Sequence, residues 1–172
     1  MIRHPLIILG AVLSLPLRAQ TPASRSEASR RSVQAFYDWY VPRAAHPGKR
    51  DMIMVAATDG PLHFDPELVR WLRIDSTARA RNKTEVDGLD GDPYLNSQDP
   101  CDKYTARPGR VDRGKVLVDV HGSGGCESRT TPDVIVELTP NGAGWTVMEF
   151  RDPHRDNEGL IPLLKRLHPK AR

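Results

Sequence analysis

Hydrophobic residues in the first half of the chain recur at the spacing of a helix. Val33, Phe36, Tyr37 and Tyr40 follow one another at i, i+3, i+4 and i+7, which places them on one face of a helical segment. We expect Pro42 to end this segment, because a proline disfavours helical geometry in the residue before it. The pattern predicts a long N-terminal helix whose aromatic face is buried in a core.

A second helix is predicted to begin at Asp65-Pro66. The aspartate suits the N-cap, the proline suits the first helical position, and Leu68, Trp71 and Leu72 form the buried side. Between the two helices, residues 52–57 form a short apolar run. Its length and composition fit either a helical turn or a strand, so the sequence leaves that choice open.

The second half of the chain changes to the spacing of strands. Residues 115–120 and 133–138 are short runs rich in β-branched residues, and residues 145–150 alternate between two faces. Asn141-Gly142 separates the last two runs and is typical of a tight hairpin. Leucines on one face of residues 160–167 predict a short C-terminal helix. This order indicates an α+β fold, with the long N-terminal helix and the second helix packed on a curved antiparallel sheet.

Residues 1–19 have the layout of a secretory signal peptide. Arg3 and His4 give a basic start, an apolar core of about ten residues follows, and Ala19 supplies a small residue at the cleavage site. The apolar core is too short to span a bilayer. The alternative is a short membrane anchor that stays uncleaved. We expect cleavage, a periplasmic or secreted protein, and no membrane span in the mature chain.

Removal of this segment changes the charge of the chain and sets its domain boundaries. Arg3 and Arg18 leave and no acidic residue does, so 23 basic residues face 22 acidic ones and the formal net charge falls from +3 to +1. Near-balanced charge argues against nucleic acid as a partner. We expect residues 20–29 to be a disordered polar tail and residues 30–172 to form a single α+β domain.

The two cysteines of the chain bracket its most polar region. Cys101 ends an Asp-rich segment that begins at Gly88, and Cys126 ends a glycine-rich segment that begins at His121. Two cysteines in an exported chain favour a disulfide, which would stabilise a loop of this length by ~3 kcal/mol. The alternative is a nucleophilic Cys101 with His121 or His154 as its base.

Aspartates crowd the segment that leads to Cys101. They are Asp87, Asp90, Asp92, Asp99 and, just beyond the cysteine, Asp102. Hard cations such as Ca²⁺ bind several carboxylates, but the spacing lacks the EF-hand pattern, so we predict no metal site and no cofactor. One explanation is structural, because Asp and Asn side chains hydrogen-bond their own backbone in turns. The other is a loop that contacts a ligand at the mouth of a cavity. Its candidate ligand-binding residues are Asp90, Asp92, Asn96, Gln98 and Asp99.

The glycine-rich segment 121–125 lacks the marks of a catalytic or phosphate-binding loop. Its likeness to the oxyanion loop of some esterases is superficial, because Gly-x-Ser-x-Gly is absent around Ser123. No Gly-Lys-Ser/Thr follows, as a phosphate loop requires. His63, His154 and His168 are scattered without metal-ligand spacing. A turn between strands accounts for the same glycines.

Three motifs resemble those of one protein family. They are Phe36-Tyr37-x-Trp39-Tyr40, then Gly88-Leu89-Asp90-x-Asp92-Pro93-Tyr94-Leu95-Asn96-Ser97-Gln98-Asp99, then Trp145 near a late strand. Over residues 30 to 168 the chain resembles exported bacterial proteins that carry domain of unknown function 3828, and the second motif is the specific one. The resemblance implies a cystatin-like or nuclear-transport-factor-like fold, in which a bent sheet cradles a long helix and often leaves a cone-shaped cavity. It implies no reaction, because such a fold hosts many functions.

Three functions fit these observations. The first is a non-enzymatic binding or interaction domain with a partly apolar cavity between helix and sheet, whose partner is a small molecule or an envelope protein. The second is a small hydrolase or isomerase that uses Asp90 or Asp92 with His121 as general acid and base. The third is an immunity-type protein that blocks a toxin through an exposed apolar patch. Because no catalytic motif is recognisable, the sequence favours them in this order.

Overall fold

A computed structural model describes residues 21–48, 50–81, 88–127, 129–142 and 144–171. The predicted signal segment lies outside these ranges. The described helices are α1 Pro22–Ala44, α2 Met52–Asp59, α3 Pro66–Arg81 and α4 Leu160–Leu167. The described strands are β1 His63–Phe64, β2 Lys103–Arg107, β3 Val111–Asp112, β4 Lys115–Ser123, β5 Val134–Asn141, β6 Gly144–Asp152 and β7 Glu158–Gly159. The α+β class predicted from the change in spacing is confirmed.

Helix α1 is longer at both ends than the sequence predicted. It begins at Pro22, and the side chain of Thr21 caps it by accepting a hydrogen bond from the Ser24 amide at 3.3 Å. Residues 22–29 are therefore helical, and the expected disordered tail over 20–29 is wrong for them. Pro42 lies inside the helix instead of ending it. So close to the C-terminus, its missing N–H removes a single hydrogen bond from the helix.

Residues 52–57, whose sequence fits either a helical turn or a strand, are part of helix α2. The carboxylate of Asp51 accepts hydrogen bonds from the amides of Ile53 and Met54 at 3.1 and 3.4 Å, which supplies the N-cap. Helix α3 begins at Pro66 as predicted, and Asp65 accepts from the Glu67 amide at 2.8 Å. The C-terminal helix α4 also has the predicted bounds.

The seven strands form one mixed sheet in the order β1-β6-β5-β4-β2, with β3 beside β4 and β7 beside β6. All described pairs are antiparallel except β1 with β6, so the expectation of a wholly antiparallel sheet is wrong at this edge. Strand β1 is two residues long and pairs with Thr146 and Val147, whereas β7 pairs with Arg151 and Asp152 further along the same strand. The sheet is open.

A β-bulge bends the central hairpin of the sheet. Glu137 lies opposite Glu149 and Leu138 lies opposite Val147, so Met148 has no partner on β5. A bulge of this kind increases the local twist of a strand. The bulge falls between the stretch of β6 that pairs with β1 and the stretch that pairs with β7, and helix α4 also contacts β6.

Aromatic rings fill the interface between α1 and the sheet. The ring of Phe36 lies 5.4 Å from Tyr40 and 5.8 Å from Tyr94, and the ring of Tyr94 lies 4.7 Å from Phe150, measured between centroids. Pairs at these distances stabilise a fold beyond the area they bury, by about 0.5–1.5 kcal/mol each. The cone-shaped cavity that the resemblance implied would lie here, and buried side chains occupy the place instead.

A side chain of α1 protects the exposed edge of the sheet at β2. The Gln34 amide nitrogen donates to the Tyr104 carbonyl at 3.1 Å, and the Ala106 amide donates to the Gln34 side-chain oxygen at 2.8 Å. The glutamine thus pairs with the strand edge as a neighbouring strand would, which removes a site for association with other chains. Among the described helices, none is both long enough and apolar enough to cross a membrane.

Candidate functional site

The Asp-rich loop, defined here as residues 88–100, is held by side chains buried in the core. Tyr94 is fully buried and Leu95 is 2% exposed. The Tyr94 hydroxyl donates to the Ile53 carbonyl at 3.0 Å, and the Tyr37 hydroxyl donates to the Tyr94 carbonyl at 2.7 Å. The polar backbone of the loop is therefore paired where the loop enters the core.

Asp92 organises the turn around these two residues. One carboxylate oxygen accepts from the amides of Tyr94 and Leu95 at 2.9 and 3.3 Å, and the other accepts from the Tyr40 hydroxyl at 2.6 Å. Burial raises the pKa of Asp92, although each of these hydrogen bonds acts to lower it. Burial and the Asp92 charge together raise the pKa of Tyr40. These contacts favour the structural explanation for Asp92.

Asn96 ties the same loop to the sheet. Its side-chain nitrogen donates to the Asp133 carbonyl at 3.1 Å and to a carboxylate oxygen of Asp152 at 2.9 Å. Its φ of +49° is a left-handed conformation, which asparagine adopts more readily than most residues. Asn96 thus joins the loop to the segment before β5 and to the end of β6.

Asp75 fixes the start of the loop from helix α3. The fully buried carboxylate accepts from the Leu89 amide at 3.0 Å and from Arg79 at 2.8 Å, and it lies 2.9 Å from the His168 ring nitrogen. A Cβ at Gly88 would collide with this carboxylate, and the φ of Gly88 is +121°. Sequence reasoning missed Asp75. The available signal was its position four residues after Trp71, on the buried side of the helix.

The predicted disulfide between Cys101 and Cys126 is present, with a Cα–Cα distance of 5.0 Å. It fixes the C-terminal end of the Asp-rich loop. The bond leaves Cys101 with no thiol to act as a nucleophile. His121 to Ser123 belong to strand β4, so the expected glycine turn is confined to Gly124 and Gly125. Gly122 is required on this strand because a Cβ there would collide with the sulfur of Cys101.

A cavity of about 390 Å³ lies between the Asp-rich loop, the end of β6 with the turn that follows, and helix α4. Its floor is apolar and consists of Leu89, Phe150, Leu160, Leu163 and Leu167. Its polar lining includes Asp90, Asp92, Asn96, Ser97, Gln98 and Arg155. The volume is within the range that proteins use for small ligands.

The structure brings together four of the five predicted ligand-binding residues. Asp90, Asp92, Asn96 and Gln98 line the cavity, and Gln98 also donates to the Asp90 carbonyl at 3.0 Å. Asp99 is exposed on the same loop and is not part of the lining.

The predicted Asp–His pair is not assembled in this cavity. His121 lies on β4 opposite Thr105 of β2 and does not line the cavity that holds Asp90 and Asp92. General acid–base catalysis needs both groups within hydrogen-bond reach of one substrate, which this placement does not provide.

Most charges near the cavity are paired with each other. Arg151 and Lys115 both donate hydrogen bonds to the carboxylate of Glu137. Burial acts to raise the pKa of Glu137, but these two hydrogen bonds outweigh it and leave that pKa below its ordinary value. Glu158 is paired with Arg166. Arg155 lies 3.5 Å from Asp152, and its side chain remains 67% exposed.

Glu149 positions helix α4, which forms one wall of the cavity. Its carboxylate accepts from the Ile161 amide in the first turn of α4 at 3.1 Å and from its own neighbour Phe150 at 3.2 Å. The N-cap residue Gly159 has no side chain to do this. Burial raises the pKa of Glu149 to about 7, against the hydrogen bonds that act to lower it. A strand residue therefore caps a helix that follows eleven positions later in the chain.

No group of three or more His, Cys, Asp or Glu side chains that could hold a metal ion occurs among the described residues. Comparison of the chain with protein-family models, with curated proteins and with solved structures finds no significant match.

Replacement of Asp92 tests whether it supports the loop. We expect Asp92→Ala to lower the free energy of unfolding by ~2–4 kcal/mol, because Tyr40 and two backbone amides lose their acceptor. The matched variant Gln98→Ala removes one exposed hydrogen bond and should cost less than ~1 kcal/mol. Urea denaturation of the oxidised protein measures both. Equal, small effects of the two variants would contradict a structural role for Asp92.

The raised pKa of Glu149 predicts a pH dependence of stability. Between the ordinary pKa of 4.5 and the folded value of about 7, the native state binds more protons than the unfolded state. The free energy of unfolding should therefore fall as pH rises through this window, by at most ~3 kcal/mol from this group. Glu149→Gln should remove that fall.

Urea denaturation of wild type and Glu149→Gln at pH 5 and pH 8 measures the difference directly. Glu67→Gln is the matched control, because Glu67 is exposed and a hydrogen bond from Lys165 lowers its pKa. It should leave the pH profile close to that of wild type. Parallel profiles for wild type and Glu149→Gln would show that Glu149 does not titrate in this window.

Proposed function

We propose that this protein is an exported binding domain that holds a small amphipathic ligand in the cavity between the Asp-rich loop and helix α4. One observation carries the proposal: a cavity of about 390 Å³ with a leucine-rich floor and a polar rim. Ligand sites in proteins are concave and mostly apolar, with a few polar groups that orient the ligand. The function is binding without catalysis.

Fixed walls support this proposal. The loop is fastened by hydrogen bonds to Asp75 at its start and through Asn96 to the sheet, and by the disulfide at its end. The opposite wall is helix α4, capped by Glu149. A site whose walls are ordered before the ligand arrives avoids part of the entropic cost of binding.

The other two functions have less support from the geometry. An acid–base enzyme would need the imidazole of His121 in the cavity, and it lies on β4 outside the lining. An inhibitor that blocks a toxin through an apolar patch would expose several large hydrophobic side chains. In the described part of the chain Val111 is the large hydrophobic residue that is exposed, at 41%, and one side chain does not make a patch.

Export and family membership belong to the same proposal. The disulfide supports export, because thiols in the cytosol are usually kept reduced. The motifs support membership in the family with domain of unknown function 3828 and a cystatin-like or nuclear-transport-factor-like fold. The long helix α1 on a bent sheet is in keeping with that fold. The filled interface beneath α1 would then set this chain apart from members with a central cavity.

Native mass spectrometry of protein purified from a periplasmic extract tests the proposed function. We expect a bound small molecule on the wild-type protein. Leu163→Trp places a large ring in the cavity and should abolish the added mass, because Leu163 lies in the floor. Thr58→Trp adds the same ring at an exposed position of α2 and should leave it unchanged. Equal loading of the two variants, with both folded by circular dichroism, would contradict a ligand in this cavity.

A further inference from the structure

We infer, on the basis of the proposed binding function, that the ligand is an apolar amine: an ammonium group on an aliphatic or aromatic body. The two halves of such a ligand match two parts of the cavity. The leucine-rich floor takes the apolar body, and an aspartate at the rim takes the positive charge. The aspartate is Asp90.

The charges that line the cavity are compensated on one side and uncompensated on the other. Arg151 and Glu158 pair with residues outside the lining, Glu137 and Arg166. Arg155 and Asp152, both in the lining, lie 3.5 Å apart and offset each other. These four side chains therefore add little net charge to the cavity.

The remaining charged side chains in the cavity lining are Asp90 and Asp92 of the Asp-rich loop. Asp92 accepts three hydrogen bonds, but no cation contacts its carboxylate in the described part of the chain. The carboxylate of Asp90 is exposed at the rim and has no ion-pair partner among the described residues, while Gln98 holds the Asp90 carbonyl. The cavity is thus negative on the loop side, which attracts a cation and repels an anion.

The apolar floor of the cavity favours a ligand whose body is apolar. Leu89, Leu163 and Leu167 are partly buried and face the cavity together with Phe150 and Leu160. Each methylene group that leaves water for such a surface contributes ~0.8 kcal/mol. A small hydrophilic cation would leave this surface uncovered, whereas an alkyl or aryl amine covers it and still reaches Asp90.

Three probes with one alkyl chain and different charge test the inference: hexylammonium, 1-hexanol and hexanoate. Calorimetric titration of the oxidised protein at pH 7 and moderate ionic strength gives each affinity. We expect hexylammonium to bind about 2–5-fold more tightly than hexanol, as one partly solvated ion pair allows, and hexanoate to bind most weakly. Leu163→Trp should weaken all three.

Asp90→Asn assigns the charge preference to one residue. This variant should bring hexylammonium to the affinity of hexanol and leave hexanol unchanged. Asp99→Asn is the matched control, because Asp99 is exposed on the same loop but outside the cavity lining. It should keep the preference for the amine.

The other possible outcomes contradict either the amine inference alone or the proposed binding function as well. If hexanol or hexanoate binds as tightly as the amine, the amine inference fails and the binding function stands. If Asp99→Asn weakens amine binding as much as Asp90→Asn, the preference comes from overall charge and the inference also fails. If no probe binds, or if Leu163→Trp changes none of the affinities, the cavity is not a site for apolar ligands and the proposed function fails with the inference.

Discussion

The burial of Tyr94 is the constraint on which the rest of this structure depends. A segment rich in aspartate, glycine and proline would ordinarily run over the surface, yet this ring is fully buried 4.7 Å from Phe150. A ring can enter the core from a loop only if the backbone around it finds hydrogen-bond partners. The Tyr94 amide donates to Asp92, and the Tyr94 carbonyl accepts from the Tyr37 hydroxyl. The Tyr40 hydroxyl donates to the second carboxylate oxygen of Asp92. The aspartate is thus part of the way the loop folds.

The position of the cavity follows from two separate attachments. On one side, the buried Tyr94 and the contacts of Asn96 hold the loop against the end of β6. On the other side, Glu149 holds the first turn of α4 beside the same strand. The loop and the helix are fixed independently to one strand end, and the space between them stays open because neither reaches across it. The disulfide at Cys101 limits the loop from its far end.

The elements with a strong period could be predicted from the sequence. The aromatic face of α1, the leucine face of α4 and the strands β4 to β6 follow from spacing alone. The disulfide follows from two cysteines in a chain whose sequence predicts export. Elements too short to show a regular spacing of hydrophobic residues could not be predicted. Strand β1 has two residues, and the run that became α2 is too short to separate a helix from a strand.

The site was predictable in composition but not in arrangement. The loop motif pointed to Asp90 and Gln98, both of which line the cavity. The contact of Asp75 with His168 spans 93 positions of the chain, and the placement of α4 depends on Glu149, so neither could be deduced from local spacing. His121 failed as a catalytic partner for the same reason. It lies on β4 opposite Thr105 of β2 and outside the cavity lining, and the sequence pattern does not define that strand register.

Amide hydrogen exchange of Tyr94 and Leu95 in the oxidised protein, followed by nuclear magnetic resonance, tests most directly whether the Asp-rich loop is built into the core. Both amides donate to Asp92 next to a buried ring. We expect protection within about tenfold of that of Val136 in the central strand β5, because opening the loop would require opening the core. Exchange as fast as that of the exposed residues 110–113 would contradict it.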